Sequence, residues 1–249
     1  MNILKSGENQ EGEVNTMDGL NIAAGSIRTA DTSLSVTSNN IANINTSGFR
    51  SDNTQFQTGP GGRGVEVASV TETNRPGPVV LTGGRLDLSL PGDSFFAVRR
   101  SSGELAFTRD GSFQIDAAGR ITTPNGDLLD PQITVPAGAR QISVGRDGTV
   151  TGLAEDGTET TLGRIEPVRF PNPQGLENIG GNLFRPTAAS GAGTRETGPE
   201  VLQGALTLSN TDLAPEMVNL IRDERFTQAN AAVVRTEDEN LGTILDIKR

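Results

Sequence analysis

Two stretches of the chain repeat apolar residues at helical spacing, and the sequence between them alternates like β-structure. In residues 17–49, Leu20, Ile27, Leu34 and Ile41 recur every seven residues, and Ala23, Ala30, Thr37 and Ile44 each follow three residues later, the a and d positions of a coiled-coil seam. In 210–247 a four-three series runs through Leu213, Met217, Leu220, Glu224, Thr227, Ala231, Val234, Asp238, Leu241 and Leu245. Two carboxylates interrupt it, so it is the weaker stripe. The first helix is expected from Asp18, as N-cap, to about Asn43. The second is expected from Asp212, as N-cap, with Pro215 and Glu216 in its first turn, to about Ile247. A seam needs a partner helix, so the expected fold class is α+β: a discontinuous N- and C-terminal helical (coiled-coil) domain carrying an inserted antiparallel β-rich domain. A lone amphipathic helix is marginal in water, so the two ends are expected to be largely disordered in an isolated chain.

Between the stripes, Arg50 to Val80 holds Gly59-Pro60-Gly61-Gly62, Pro76-Gly77-Pro78 and one alternating stretch, Val65-Glu66-Val67, and predicts a loop-rich connector with one or two strands at most. From Leu86 strands are expected at 86–90, 95–98, 105–108 and 112–115. The dipeptides Asp110-Gly111, Ala118-Gly119, Asn125-Gly126, Asp147-Gly148 and Asp156-Gly157 mark hairpin turns. Pro186 to Pro199 is a flexible connector, and Val201 to Leu208 a strand. The expected organisation is a disordered leader at 1–16, with Met17 opening the structured chain, a helix within 17–50, the β-rich insertion at 51–208 and the second helix within 209–249.

The segment 38–49 places Asn39, Asn40, Asn43 and Asn45 ahead of Gly48 and Phe49. Asparagine competes for local backbone groups and tolerates the left-handed region, and glycine terminates helices there. These residues therefore read as a helix C-terminus with Phe49 folding back. The sharper reading is that the amides bond to neighbouring subunits.

Composition narrows the function. Apolar residues make up 33% of the 249 and aromatic ones 4%, which suits two modest cores better than one large one. A formal charge of −10, with no basic run, argues against nucleic acid, whose phosphates need a net basic face. Histidine and cysteine are both absent, which removes imidazole and thiol chemistry, nearly all zinc and copper sites and any disulfide framework. No run of about 18 apolar residues could insert in a membrane, and the polar N-terminus has no apolar signal core. Acid/base work by carboxylates survives these exclusions, as in a hydrolase of cell-wall glycan, with Asp93, Glu104, Asp116 or Asp130 as candidates. Nearly every aspartate lies at a turn, however, which explains it without catalysis. A calcium-binding or glycan-binding β-module would need converging oxygen ligands, and no alternating Asp/Asn run supplies them. No metal, cofactor or substrate is expected.

Met17-Asp18-Gly19-Leu20, Ala24-Gly25 and Ser38 through Arg50 resemble the N-terminal signature of bacterial flagellar axial proteins of the rod and hook. Leu86-Asp87-Leu88, Phe95 to Val98 and Phe107-Thr108-Arg109-Asp110-Gly111-Ser112-Phe113 are similar to their central β-domain. Ser209 to Leu213, Glu216 to Val218 and Arg225 to Ala231 are similar to their C-terminal helix. The resemblance covers nearly all of 17–247. It implies a rod subunit that leaves the cytoplasm through the flagellar type III export apparatus without a cleaved signal. Such a subunit polymerises helically in the periplasm with copies of itself and other axial (rod or hook) subunits, its terminal helices lining the export channel. The short connector between Phe49 and Leu86 favours the proximal rod, with the distal rod close behind; the C-terminal residues 241–247 also resemble hook and other rod subunits. Residues expected at subunit interfaces are Leu20, Ile27, Leu34, Asn39, Asn40, Ile41, Asn43, Asn45, Gly48 and Phe49, with Met217, Leu220, Arg225, Phe226, Asn230, Leu241 and Leu245.

Overall fold

The computed structural model describes residues 5–155, 157–196 and 200–247, with side chains for all of these except 5–17, 244, 245 and 247. The chain is α+β and divides into two compact units. Among the described residues, unit 1 holds 5–42, 52–71 and 212–247, and unit 2 holds 43–51 and 72–211.

Unit 1 is built from helix α1 (Lys5–Ala42), strands β1 (Asp52–Thr58) and β2 (Val65–Glu72), and helix α2 (Leu213–Ile247). The two helices run antiparallel. Asn40 meets Glu216, Ser33 meets Asp223 and Gly19 lies beside Glu237, so seven residues down α1 match seven residues up α2, and fourteen match fourteen. Helix α1 begins at Lys5, which corrects two expectations: residues 5–16 are helix and not a disordered leader, and Asp18 is inside the helix and not its N-cap. Residues 1–4 lie outside the described residues. The physical reason is that 5–16 contains no proline, and extending an existing helix costs far less than nucleating one. Asp212 does cap α2, its Oδ1 accepting from the Ala214 N–H at 3.1 Å. The expected stretch Val65-Glu66-Val67 opens β2, but its partner β1 was not legible, because it reads Asp-Asn-Thr-Gln-Phe-Gln-Thr, with one apolar side chain in seven. Together with β3 (Val79–Leu81) this hairpin makes three strands where one or two were expected.

Unit 2 also contains the short strands β4 (Leu88–Ser89), β5 (Phe96–Arg99), β6 (Leu105–Thr108), β7 (Gln114–Ile115), β8 (Ile121–Thr122), β9 (Leu128–Leu129), β10 (Ala139–Val144), β11 (Thr149–Ala154), β12 (Glu159–Arg164), β13 (Val168–Arg169), β14 (Glu177–Gly180), β15 (Leu183–Arg185), β16 (Thr194–Arg195), β17 (Leu202–Gln203) and β18 (Ala205–Thr207). All the pairings described are antiparallel, and the largest sheet orders them β14-β15-β6-β5-β9-β8-β7. Strand side chains alternate between faces, and here both faces are covered. Phe96, Val98 and Ala106 enter one core with Leu88, Phe113, Ile121 and Leu129, while Phe95, Ala97 and Phe107 enter a second with Val168, Phe170 and Phe184. The second core is held edge to face: Phe95 lies 5.6 Å from Phe170 and 5.7 Å from Phe184, and Phe107 lies 4.9 Å from Phe170. Such ring pairs add about 0.5–1.5 kcal/mol each beyond the area they bury.

The turn dipeptides divide. Gly119, Gly126, Gly148 and Gly157 have positive φ, as the turn reading requires; Asp156 lies outside the described residues. Gly111 does not have positive φ. A side chain there would overlap the Leu88 carbonyl oxygen, and the Gly111 carbonyl accepts from the Leu88 N–H at 2.9 Å. Glycine is needed at 111 because β4 runs directly over it.

Candidate assembly interface

The seam between α1 and α2 is lined mainly by small and polar side chains, with Leu220, Val234 and Leu241 among them on α2. On α1 the buried positions are Ala23, Ser26, Thr29, Ala30, Ser33, Thr37 and Asn40, whereas Leu20, Ile27, Leu34 and Ile41 are half-exposed. On α2 the inward positions are Glu216, Leu220, Asp223, Thr227, Asn230, Val234, Glu237 and Leu241. The expected series on α2 holds at Leu220, Thr227, Ala231, Val234 and Leu241, but Leu213, Met217, Glu224 and Asp238 face solvent. Small side chains let helices approach closely but bury little apolar area, about 0.8 kcal/mol per methyl-sized group against about 1.5–3 for a Leu or Ile. Hydrogen bonds supply the specificity. The Ser33 hydroxyl donates to Asp223 Oδ2 at 2.6 Å. Asn40, 1% exposed, donates from Nδ2 to Glu216 Oε1 at 2.9 Å and to the Asp52 carbonyl at 2.8 Å, and accepts from the Asp52 N–H at 2.9 Å. Thr29 donates to the Val65 carbonyl, which attaches the hairpin to α1.

What the pair does not bury is apolar. Leu213, Met217 and Ile221 stand on α2 at four-residue steps, with Met217 52% and Ile221 55% exposed, and the neighbouring Val218 65%. Elsewhere on the same unit a groove of about 400 Å³ is lined by Thr29, Ala30, Phe56, Val65 and Phe226, with Arg222 and Asp223 also in its wall. Phe56 and Phe226 are 46% and 40% exposed.

The asparagine segment is used within the subunit. Asn40 is buried as described, Asn43 caps the turn through the Thr46 hydroxyl and N–H, and Gly48, buried with φ +71°, donates to the Thr207 carbonyl at 2.8 Å. A side chain at Gly48 would meet the Arg109 carbonyl carbon at 2.5 Å. The helix-terminus reading of this segment accounts for Asn43 alone: α1 ends at Ala42, six residues before Gly48, and Asn40 bonds across to β1 and α2, while Asn39 and Asn45 are exposed and Phe49 half-buried. Of the remaining expected interface residues, Arg225 is exposed and bonds to Gln228, Asn230 donates to the Phe226 carbonyl, and the Leu245 side chain lies outside those described.

Two buried arginines escaped the sequence reading. Arg50 donates to Asp93 (2.8 Å), Asn74 (3.0 Å) and the Gly92 carbonyl (2.8 Å). Arg109 pairs with Glu72 at 2.6 Å and lies over the Phe95 ring at 4.2 Å. Burial pushes the Arg109 guanidinium down to about 10, and Glu72 opposes that, so it stays charged at neutral pH. No pattern of hydropathy distinguishes such a buried arginine from a surface one. Asp110 of the same motif is pushed upward by burial, partly offset by Ser112, whose N–H and hydroxyl it accepts.

The four carboxylates weighed as catalytic groups each answer to an arginine: Asp93 to Arg50, Glu104 to Arg100 and Arg185, Asp116 to Arg120, and Asp130 to Arg99 and Arg195. Asp116 lies below the usual aspartate range, held there first by the Arg120 N–H and then by its guanidinium. Among the described residues no group of three acidic side chains could hold a metal ion, and no helix is long and apolar enough to cross a membrane.

Three family models match the chain in order: flagella basal body rod protein over 20–50, flagellar hook protein FlgE/F/G D1 domain over 89–152, and flagellar basal body rod FlgEFG protein C-terminal over 202–247. The chain is 35% identical over 254 residues to flagellar basal-body rod protein FlgG of Caulobacter vibrioides, covering 90% of this chain and 97% of that one. It is 32% identical over 236 residues to FlgG of Buchnera aphidicola subsp. Acyrthosiphon pisum, covering 84% and 91%. To flagellar basal-body rod protein FlgF of Caulobacter vibrioides it is 32% identical over 233 residues, covering 85% and 92%. The matched ends take in the C-terminal part of α1 and all of α2, the matched centre lies in the two-core β unit, and relatives more than 30% identical are aligned over most of both chains, so the chain belongs to the flagellar basal-body rod protein family.

Proposed function

We infer that the chain is a structural subunit of the bacterial flagellar basal-body rod, located in the basal body. The observation that carries this is the family match at both helices and the β unit together. The terminal helices form a coiled-coil layer whose half-exposed Leu20, Ile27, Leu34 and Ile41 and exposed Met217 and Ile221 are buried by other subunits, copies of this chain or other axial proteins. The subunit polymerises helically around the export channel, reaches the periplasm through the type III export apparatus without a cleaved signal, and turns over no substrate. Support comes from a helix pair whose fully buried positions are small or polar, while Leu20, Ile27, Leu34 and Ile41 are only half-buried and Met217, Val218 and Ile221 are exposed.

The test is a strain lacking the gene, with its basal bodies viewed by electron microscopy. Rods that stop short of the hook support a rod subunit, and complete rods without hooks would make it a hook subunit. Rods and hooks of normal length would refute the reading. Asn or Gln at Asp93, Glu104, Asp116 and Asp130 in turn should leave motility intact wherever folding is intact. Loss of motility with subunits still assembled, or peptidoglycan cleavage abolished by one of these changes, would favour the hydrolase alternative.

A further inference from the structure

Unit 1 carries two apolar surfaces that differ in shape. One is a ridge: Leu213, Met217 and Ile221 at four-residue steps along α2, the row that packs into grooves of neighbouring helices, with Val218 beside it. The other is the groove walled by Ala30, Phe56, Val65 and Phe226. Met217 and Phe226 are nine residues apart, two and a half turns at about 3.6 residues per turn, so on α2 the ridge and the groove point in opposite directions.

A two-fold dimer joins a patch to itself, and would set ridge on ridge or groove on groove. Ridge into groove is a heterologous contact, and repeated between identical chains it generates an open assembly. Charge agrees with that pairing. Glu224 lies two turns beyond Met217 on the ridge side of α2, and Arg222 lies in the groove wall, its exposed guanidinium 3.5 Å from the buried Asp223. The ridge side thus offers an exposed carboxylate, and the groove wall an exposed guanidinium that also faces Asp223 of its own chain.

We propose that the groove walled by Phe56 and Phe226 receives the Met217–Ile221 ridge of a second copy of this chain, in a head-to-tail contact. This rests on the reading of the chain as an axial subunit, and names the contact through which copies meet. The occupant is another copy because the chain itself presents the complementary shape and the complementary charge.

The chain has no cysteine, which makes the contact testable by disulfide trapping in the full-length protein. Phe56→Cys, Met217→Cys and the double variant are expressed in a strain lacking the native gene, and basal bodies are isolated and oxidised. Cells carrying both single variants should yield a dimer in which a Phe56→Cys chain is joined to a Met217→Cys chain, and the double variant should yield a ladder of higher multimers. Basal bodies that contain the variants but give only dimers of two Met217→Cys chains, or no cross-link, would overturn the ridge-in-groove contact while leaving the rod reading intact. If native protein is absent from basal bodies, the rod reading itself fails. Should Met217→Cys be non-motile, Val218→Cys replaces it with the same expected products. Charge reversal gives an independent readout: Glu224→Arg and Arg222→Glu should each reduce motility at least tenfold in swarm area, and the double reversal should restore it. Two single reversals without effect would remove the charge argument and with it the proposed register.

Discussion

Replacing Asn40 by Ala should destabilise the helical unit while leaving the β unit unchanged. Asn40 is 1% exposed and engages three groups at once: the Asp52 N–H, the Asp52 carbonyl and the Glu216 carboxylate. Each group left without its partner in a buried site costs about 1–3 kcal/mol, and more when charged. Asp52 and Glu216 are only half-buried, so water replaces part of what is lost. A net loss of about 2–4 kcal/mol follows, a large share of the 5–15 kcal/mol, roughly, that stabilises a domain. The assay is urea unfolding read by two probes: circular dichroism at the helical minimum for unit 1, and hydrogen exchange of β5 and β6 amides for unit 2. The helical midpoint should fall and the exchange rates should not change. Asn40→Asp separates hydrogen bonding from packing, since it keeps the volume and the acceptor but sets a carboxylate against Glu216. It should be at least as destabilising at pH 7 and recover as the pH falls and the pair takes up a proton. A variant within about 0.5 kcal/mol of the native chain would show that the Asn40 network contributes nothing net, and the account of the polar seam would be wrong.

Ile27→Asp or Leu34→Asp should abolish incorporation into basal bodies, since an unpaired carboxylate buried between subunits costs several kcal/mol, while the melting of the β unit in the free protein stays put. Gly111→Ala should cost about 2–4 kcal/mol by denaturant unfolding, because its methyl meets the Leu88 carbonyl, whereas Gly126→Ala, with open space around it and φ +88°, should cost only about 1–2. Asp110→Asn should stabilise the protein at neutral pH. Burial raises the folded pKa of Asp110, so ionisation is penalised above that value, and the gain should shrink as the pH falls and vanish below about 4, where the unfolded carboxyl is protonated too. In the isolated chain, amides of 213–247 should exchange faster than those of 96–99 and 105–108, whose side chains enter two closed cores.

The strands were legible where both neighbours in sequence are apolar and both faces are buried. Phe95-Phe96-Ala97-Val98 could only belong to a strand covered on two sides, and the structure divides it between two cores. Of the hairpin β1–β2, β2 was legible in part through the alternation Val65-Glu66-Val67, whereas β1 was not, because its side chains are polar on both faces but for Phe56 and local sequence carries no sign of where its backbone pairs. The buried Arg50 and Arg109 were not legible either. What fixes them are Glu72, Asp93 and Phe95, brought there by chain topology.

The helices show the more general point. The expected seam joined Leu20, Ile27, Leu34 and Ile41 to Ala23, Ala30, Thr37 and Ile44; of these the structure buries Ala23, Ala30 and Thr37, together with Asn40, and leaves the four larger apolar residues of the first set half-exposed. In a chain that folds alone, the largest apolar side chains mark its own core, because that is where burial stabilises most. Here the seam within the subunit is made specific by amides, hydroxyls and carboxylates that fix its register, and it leaves the larger hydrophobic contribution unrealised. That division pairs α1 with α2 through polar groups and leaves the larger apolar side chains at its margin or outside it. Hydrophobic periodicity in such a chain therefore marks the face that stays outside the helix pair, and the small and polar positions between mark the face the pair covers itself.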